Sequence, residues 1–324
     1  MLALGIEGTA HTLGIGIVSE ERILADIRKV YKPKEGIHPR EAARFLAENM
    51  KEAITEALNE ANISYDEIDV ISFSKGPGLG PCLRTVATAA RVLAMKYDKP
   101  IIGVNHCIAH IEIGNWLSKA KDPLVVYCSG ANTQILKLRE SRYRIFGETL
   151  DVGIGNMLDK FGRELGLEHP QGPKIEELAR EGKNYIRLPY TVKGTDLSFS
   201  GLLTSAIQKY KSKRFAIEDI CFSLQETAFA MITEVTERAL AHLNAKEVLL
   251  TGGVGNNKRL QEMLKLMVSE HGAKFYIPEG YCSDNGVMIA VLGLLMFKHG
   301  YEDDIDATKV DPNFRPDSVD VFWR

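Results

Sequence analysis

Apolar and polar positions alternate at a period of two from Leu2 to Val18, with Leu4 and Ile6 in one run and Leu13, Ile15 and Ile17 in the next. This predicts strand, turn, strand, the turn being Glu7-Gly-Thr-Ala-His-Thr12. Ile23 to Tyr31 reads as a third strand, and Lys32 to Pro39 as a loop broken by Pro33, Gly36 and Pro39. The period then becomes helical. Arg40 to Ala57 places Ala43, Leu46, Ala47, Met50 and Ile54 on one stripe. Ile68 to Ser74 reads as a buried strand, and the Gly-rich segment Lys75 to Pro81 opens a helix from Leu83 to Met95. Ile101 to Val104 is one more strand, running into an apolar helix that Asp122-Pro123 closes.

The second half repeats this plan. Leu124 to Tyr127 is a strand, Ser129-Gly-Ala-Asn-Thr-Gln134 a turn of small residues, and Ile135 to Leu138 the returning strand. The strand Val248 to Thr251, with its loop Gly252-Gly-Val-Gly-Asn-Asn257, echoes the strand and Gly-rich loop near residue 76. Two matched elements in one order argue for internal duplication, hence two related α/β domains facing a cleft. We expect a first domain over 1–122, joined by 298–324, and a second over 123–297. Cys221 to Leu243 reads as a long core helix through Phe222, Ala228, Phe229, Ile232, Val235 and Leu240. Val287 to Phe297 reads as an apolar helix capped by Ser283-Asp-Asn-Gly286.

Composition narrows the picture. A chain of 324 residues, 45% hydrophobic and 26% charged, buries a large core, and its net charge of −3 excludes a globally basic nucleic-acid binder. Any such partner needs a local patch or help from other subunits. Lys209, Lys211, Lys213 and Arg214 form one basic run, read first as a solvated helix end and second as an RNA contact. The five cysteines are odd in number, scattered and without a CxxC pair, as expected of a reducing, cytoplasmic setting. No apolar run reaches the ~18 residues of a membrane span, and no cationic leader is visible.

The candidate chemistry lies in Asn105 to Gly114, NHCIAHIEIG. On a helix, His106 and His110 share one face, close enough to hold one metal ion. A metallopeptidase requires Glu after the first His; Cys107 stands there. Asp284 lies at a helix start, its carboxylate placed to cap backbone or bind metal. Small residues in the turn after Glu7 suit an anion, with Glu7 facing a cation or water, or they form a plain hairpin turn. Gly153 and Gly155 precede a helix bearing Asp159 and Lys160, an arrangement compatible with phosphate.

The motifs NHCIAHIEIG, SGANTQ, GETLDVGIGNMLDK, DLSFSGLLT, GGVGNNKRL and CSDNGVMIA resemble the universal tRNA threonylcarbamoyladenosine synthases, in their archaeal and eukaryotic branch. The resemblance covers almost the whole chain. It implies the ASKHA fold of actin, heat-shock chaperones and sugar kinases. It also implies the metal ligands His106, His110, Tyr127 and Asp284, and nucleotide contacts at Tyr127, Cys128, Ser129, Gly130, Ala131, Asp159, Gly172, Glu176 and Asn257. The implied metal is iron, with zinc the alternative, and a mixed N/O donor set without thiolate suits iron at least as well.

The implied reaction moves a threonylcarbamoyl group from threonylcarbamoyl-AMP to N6 of adenosine 37 in tRNAs reading codons that begin with A; ATP or AMP would occupy the same cleft. The implied partners are tRNA and the KEOPS subunits, among them a small atypical protein kinase and a small dimerising subunit. Rival readings are a kinase-like enzyme and a nucleotide-binding scaffold that acts only with partners. Three departures stand out: Phe45-Leu46 where the family usually has His-His, Ala131 where many relatives have Gly, and Gly255-Asn256 where Ala or Ser is common. Restoring His at 45 and 46 is expected to raise transfer. If position 131 requires a positive φ, Ala131 carries strain of about 1 kcal/mol.

Overall fold

The computed structural model describes residues 1–32 and 36–324; the expected break at Pro33 lies outside the described residues. In chain order the strands are β1 (Leu2–Glu7), β2 (Thr12–Ser19), β3 (Ile23–Val30), β4 (Val70–Gly76), β5 (Ile101–Asn105), β6 (Leu124–Cys128), β7 (Thr133–Arg139) and β8 (Arg142–Glu148), followed by the short pair β9 (Val192–Lys193) and β10 (Asp196–Leu197), then β11 (Glu247–Thr251) and β12 (Lys274–Tyr276). The helices are α1 (Pro39–Ala61), α2 (Gly80–Tyr97), α3 (His106–Ser118), α4 (Ile154–Glu164), α5 (Gln171–Glu181), α6 (Ser200–Lys211), α7 (Ile217–Leu243), α8 (Lys258–Glu270) and α9 (Gly286–Lys298).

The chain forms two units. The first comprises Met1–Leu117, Glu140–Tyr143 and Asp284–Arg324, the second Ser118–Arg139 and Arg144–Ser283. Each is built on a five-stranded sheet, ordered β3-β2-β1-β4-β5 in one and β12-β11-β6-β7-β8 in the other. The first strand of each sheet pairs antiparallel with the strand that follows it and parallel with a later one, β4 on β1 and β11 on β6. The same order of strands recurs, as duplication predicts.

Helix α9 was expected in the second domain but belongs to the first, and backbone sterics give the reason. Gly5 and Gly16 are cross-strand partners on β1 and β2. A Cβ on Gly5 would lie 2.2 Å from the Ala290 nitrogen, and one on Gly16 would lie 2.3 Å from that of Val287. Only bare backbone permits this approach. Residues Gly286 to Leu294 are therefore buried on every side, which an all-apolar helix tolerates.

Helix α1 buries Ala42, Leu46, Met50, Ala53, Ile54, Ala57 and Leu58. The predicted stripe held at Leu46, Met50 and Ile54, while Ala43 is only partly buried and Ala47 is exposed. Leu46 is fully buried and comes within 3.1 Å of where a Cβ on Gly8 would stand. Phe45 is half-buried, its ring 5.7 Å from that of Tyr31. Leu46→His is therefore expected to lower stability by roughly 1–3 kcal/mol, read as a lower melting temperature, through lost burial and an unsatisfied ring nitrogen. Phe45→His alone is the variant that tests transfer. In the second unit, α7 begins four residues earlier than read and buries Ala228, Phe229, Ile232, Val235 and Leu240, with Phe222 partly covered.

Candidate metal centre and nucleotide loops

Helix α3 follows β5 without a loop, because the Asn105 side chain accepts the Ile108 N–H at 3.1 Å and starts the helix. That fixes its phase. His106 and His110 fall on successive turns with ring centroids 4.8 Å apart, edge to face. From the segment before α9, Asp284 brings Oδ1 to 3.2 Å from His110 Nε2 and 3.5 Å from His106 Nε2. The neighbouring Asn285 caps α9 by accepting the Met288 N–H at 2.8 Å, so the Asp284 carboxylate faces the imidazoles. One ligand atom from each of His106, His110 and Asp284 lies within 4.8 Å of the others.

Glu7 completes the arrangement. It is fully buried; Oε1 accepts the N–H and O–H of Thr9, both at 2.7 Å, and Oε2 lies 3.0 Å from His106 Nδ1. Its Nδ1 contact aims His106 Nε2 at Asp284. The turn after Glu7 does not offer its first N–H groups to an anion, since Gly8 donates to Ser74 Oγ at 3.2 Å and Thr9 to Glu7. Its position before a Gly-Thr turn gave no hint that Glu7 would meet an imidazole 99 residues away.

Burial works against charge on both rings. For His106 the Glu7 and Asp284 carboxylates overcome it and raise the pKa to about 9. For His110 burial wins, and its pKa is lowered. Asp284 stays ionised: burial raises its pKa, but the two imidazoles hold it well below the usual carboxylate range.

The remaining predicted site residues lie in the second unit. Tyr127 and Cys128 end β6 and are buried, with Tyr127 in register with Thr251 and Gln134. In the next turn Ser129 Oγ accepts the Asn132 N–H at 3.1 Å. Ala131 is not among the residues with positive φ, so the conditional strain does not arise. The N–H groups of Gly155 and Asn156 donate to the Ser129 and Gly130 carbonyls at 3.1 and 2.9 Å. Helix α4 thus uses its first donors on the turn and does not present them to phosphate. A Cβ on Gly153 would strike Ala131 and Gly130 backbone at 2.5 Å, which explains the glycine.

Gly252, at φ +88°, approaches the Cys128 carbonyl, where a Cβ would lie 2.4 Å away. Gly172 and Gly253, by contrast, have no atom within 4 Å of a Cβ, so no close contact within the fold demands glycine at either position. Asn257 caps α8, accepting the Arg259 and Leu260 N–H groups and donating to Gln225 at 2.9 Å. Glu176 accepts the Lys258 N–H at 3.0 Å and pairs with Arg180. Both residues therefore organise the start of α8, and loss of either disturbs the loop whatever binds there. Asp159 is half-buried on α4.

This doubled sheet order, with glycine loops at strand ends, defines an ASKHA-type α/β protein. In fold the chain is similar to HypF from T. kodakarensis, with TM-score 0.65 at 17% identity over 95% of this chain and 48% of that one. It is also similar to a ROK hexokinase from Thermus thermophilus, with TM-score 0.51 at 16% identity over 93% and 100%. Residues 20–291 match the family model of the tRNA N6-adenosine threonylcarbamoyltransferases. A relative of that name from Thermococcus sibiricus is 57% identical over the full length of both chains. The chain belongs to this family.

Proposed function

We propose that this chain transfers the threonylcarbamoyl group of threonylcarbamoyl-AMP to N6 of adenosine 37 in tRNAs reading codons that begin with A. Membership of the family supports the reaction; the observation in this molecule that carries it is the convergence of His106, His110 and Asp284 above Glu7. Two imidazoles and a carboxylate without thiolate fit iron, and also zinc. When bound, such an ion supplies Lewis acidity to the carbamoyl carbonyl, needed because an exocyclic adenine amine is a poor nucleophile. Glu7 orients His106 and takes its Nδ1 proton contact, and Asp284 contributes the negative charge. The turn Ser129-Gly-Ala131 and the segments at Gly172 and Gly253 hold the adenine nucleotide, so that AMP departs from a fixed position. A small kinase and a small dimerising subunit work with the chain, as in the KEOPS assembly, in the cytoplasm.

The test is reconstitution with those subunits, tRNA and threonylcarbamoyl-AMP, scored by nucleoside mass spectrometry. Modified adenosine is expected; its absence, under conditions where the Thermococcus sibiricus relative produces it, would defeat the proposal. The titration of His106 adds a second expectation. With its pKa near 9 the ring is charged at pH 7.5, so ion binding must expel a proton, whereas His110 is already neutral. Calorimetry in two buffers of different ionisation enthalpy should read about one proton released per ion. The release should vanish as pH rises past 9.

A further inference from the structure

A cavity of about 320 Å³ opens on the second unit where β6, β11 and β12 begin and β7 ends. The Ser129 and Gly252 loops lie at the opposite ends of β6 and β11, so this is not the nucleotide site. Its lining holds five cations, Lys121, Lys137, Arg139, Lys246 and Lys274, against two carboxylates, Asp122 and Glu247. Both carboxylates are committed. Asp122 Oδ2 lies 2.8 Å from the buried Lys137 Nζ. Glu247 accepts the Lys121 and Asp122 N–H groups at 3.0 and 2.9 Å and the Tyr276 hydroxyl at 3.3 Å.

Lys121, Arg139, Lys246 and Lys274 therefore face the cavity without an ion-pair partner among the described residues, in a chain whose net charge is −3. They come from four separate segments fixed by one sheet, which spaces the charges along an edge. The lining has no aromatic side chain, and its apolar members are only Leu243 and Ala245. A protein partner would find charge but no anchor of the kind that dominates protein interfaces. A phosphodiester chain needs only the charges. The basic run read from sequence is a weaker candidate, because Lys211 pairs with Glu164 at 3.1 Å and Lys209 lies over the Phe215 ring.

We infer that this cavity, at the strand ends opposite the Ser129 and Gly252 loops, seats consecutive phosphates of the tRNA backbone. The inference rests on the tRNA reading above. It assigns to Lys121, Arg139, Lys246 and Lys274 a part in holding substrate and none in the chemistry.

The experiment measures binding of unmodified tRNA to the full chain by fluorescence anisotropy over a series of salt concentrations. It compares the unaltered protein with the variant carrying Lys121→Gln, Arg139→Gln, Lys246→Gln and Lys274→Gln. Loss of two to three phosphate contacts should weaken binding about tenfold or more near 0.1 M salt and flatten the log–log salt dependence by about 2. The three Lys→Arg replacements together should restore both, and the melting temperature and ATP affinity should not move. If the unaltered chain binds tRNA and the Gln variant matches it in affinity and slope, the cavity inference fails alone. If the unaltered chain binds no tRNA even at low salt, the cavity inference fails, and the tRNA reading falls with it only where the reconstituted subunits also leave tRNA unmodified. Should the Gln variant keep tRNA affinity and lose assembly with the partner subunits, the cavity is a protein-docking site and the inference is overturned.

Discussion

Replacing His106 and His110 together by alanine is expected to reduce bound metal from about one ion per chain to background and to lower threonylcarbamoyl transfer by on the order of 10³-fold. The magnitude follows from the several kcal/mol of charge stabilisation that a Lewis-acid ion supplies, at a factor of ten per ~1.4 kcal/mol. Elemental analysis and nucleoside mass spectrometry read the two effects separately. The single variants should differ in stability. His106→Ala strands the fully buried Glu7 carboxylate, whose Oε2 loses its imidazole partner at 3.0 Å, so it should melt lower than His110→Ala. Glu7→Gln should leave the rings in place and weaken metal affinity by roughly 10–100-fold, the usual cost of altering a residue that orients a ligand. Full metal occupancy in the double variant would remove these histidines from the site.

How much of this was legible in the sequence depends on the range of the interaction. Strands β1, β2, β6 and β7 and the helical phase of His106 and His110 follow from local periodicity, which side-chain burial enforces within a few residues. The duplication was visible for the same reason, since each half carries its own alternation, whereas the order of strands within each sheet was not. Asp284 was legible as a carboxylate at a helix start, suited to cap backbone or bind metal, and only the resemblance chose the metal. Its geometry depends on Asn285 taking the cap, a division of labour that two adjacent capping residues do not announce. Glu7 was read as facing a cation or water, and its partner is the His106 imidazole, an identity hidden because it lies 99 positions away; the stripe of α1 was misplaced because Ala is as apolar as the helix needs on either flank. The same limit applies to Asn257 and Glu176, which the resemblance alone marks as nucleotide contacts: their bonds to the first turn of α8 were not legible in the sequence.

The contact of α9 with the sheet was hidden for a different reason. Glycines at 5, 14 and 16 look like weakness in strands, and Gly286 looks like part of a cap. Their meaning emerges only when both surfaces are brought together: a Cβ on Gly286 would lie 2.2 Å from the Gly16 nitrogen and 2.4 Å from the Ile15 carbonyl carbon. No rotamer change relieves such a clash, because the obstructing atoms are backbone. Gly286→Val is therefore expected to destabilise the first unit by at least about 3 kcal/mol, at the upper end of overpacking costs. For a unit of this size, unfolding by itself, that corresponds to a fall in melting temperature of roughly 6–12 °C. It should also displace Asp284, two residues earlier, so metal affinity should fall with stability. Gly172→Ala is the control, since a Cβ there meets nothing within 4 Å and should leave the melting temperature unchanged. Equal melting temperatures for Gly286→Val and the unaltered protein would mean that α9 does not lie against β1 and β2 as described.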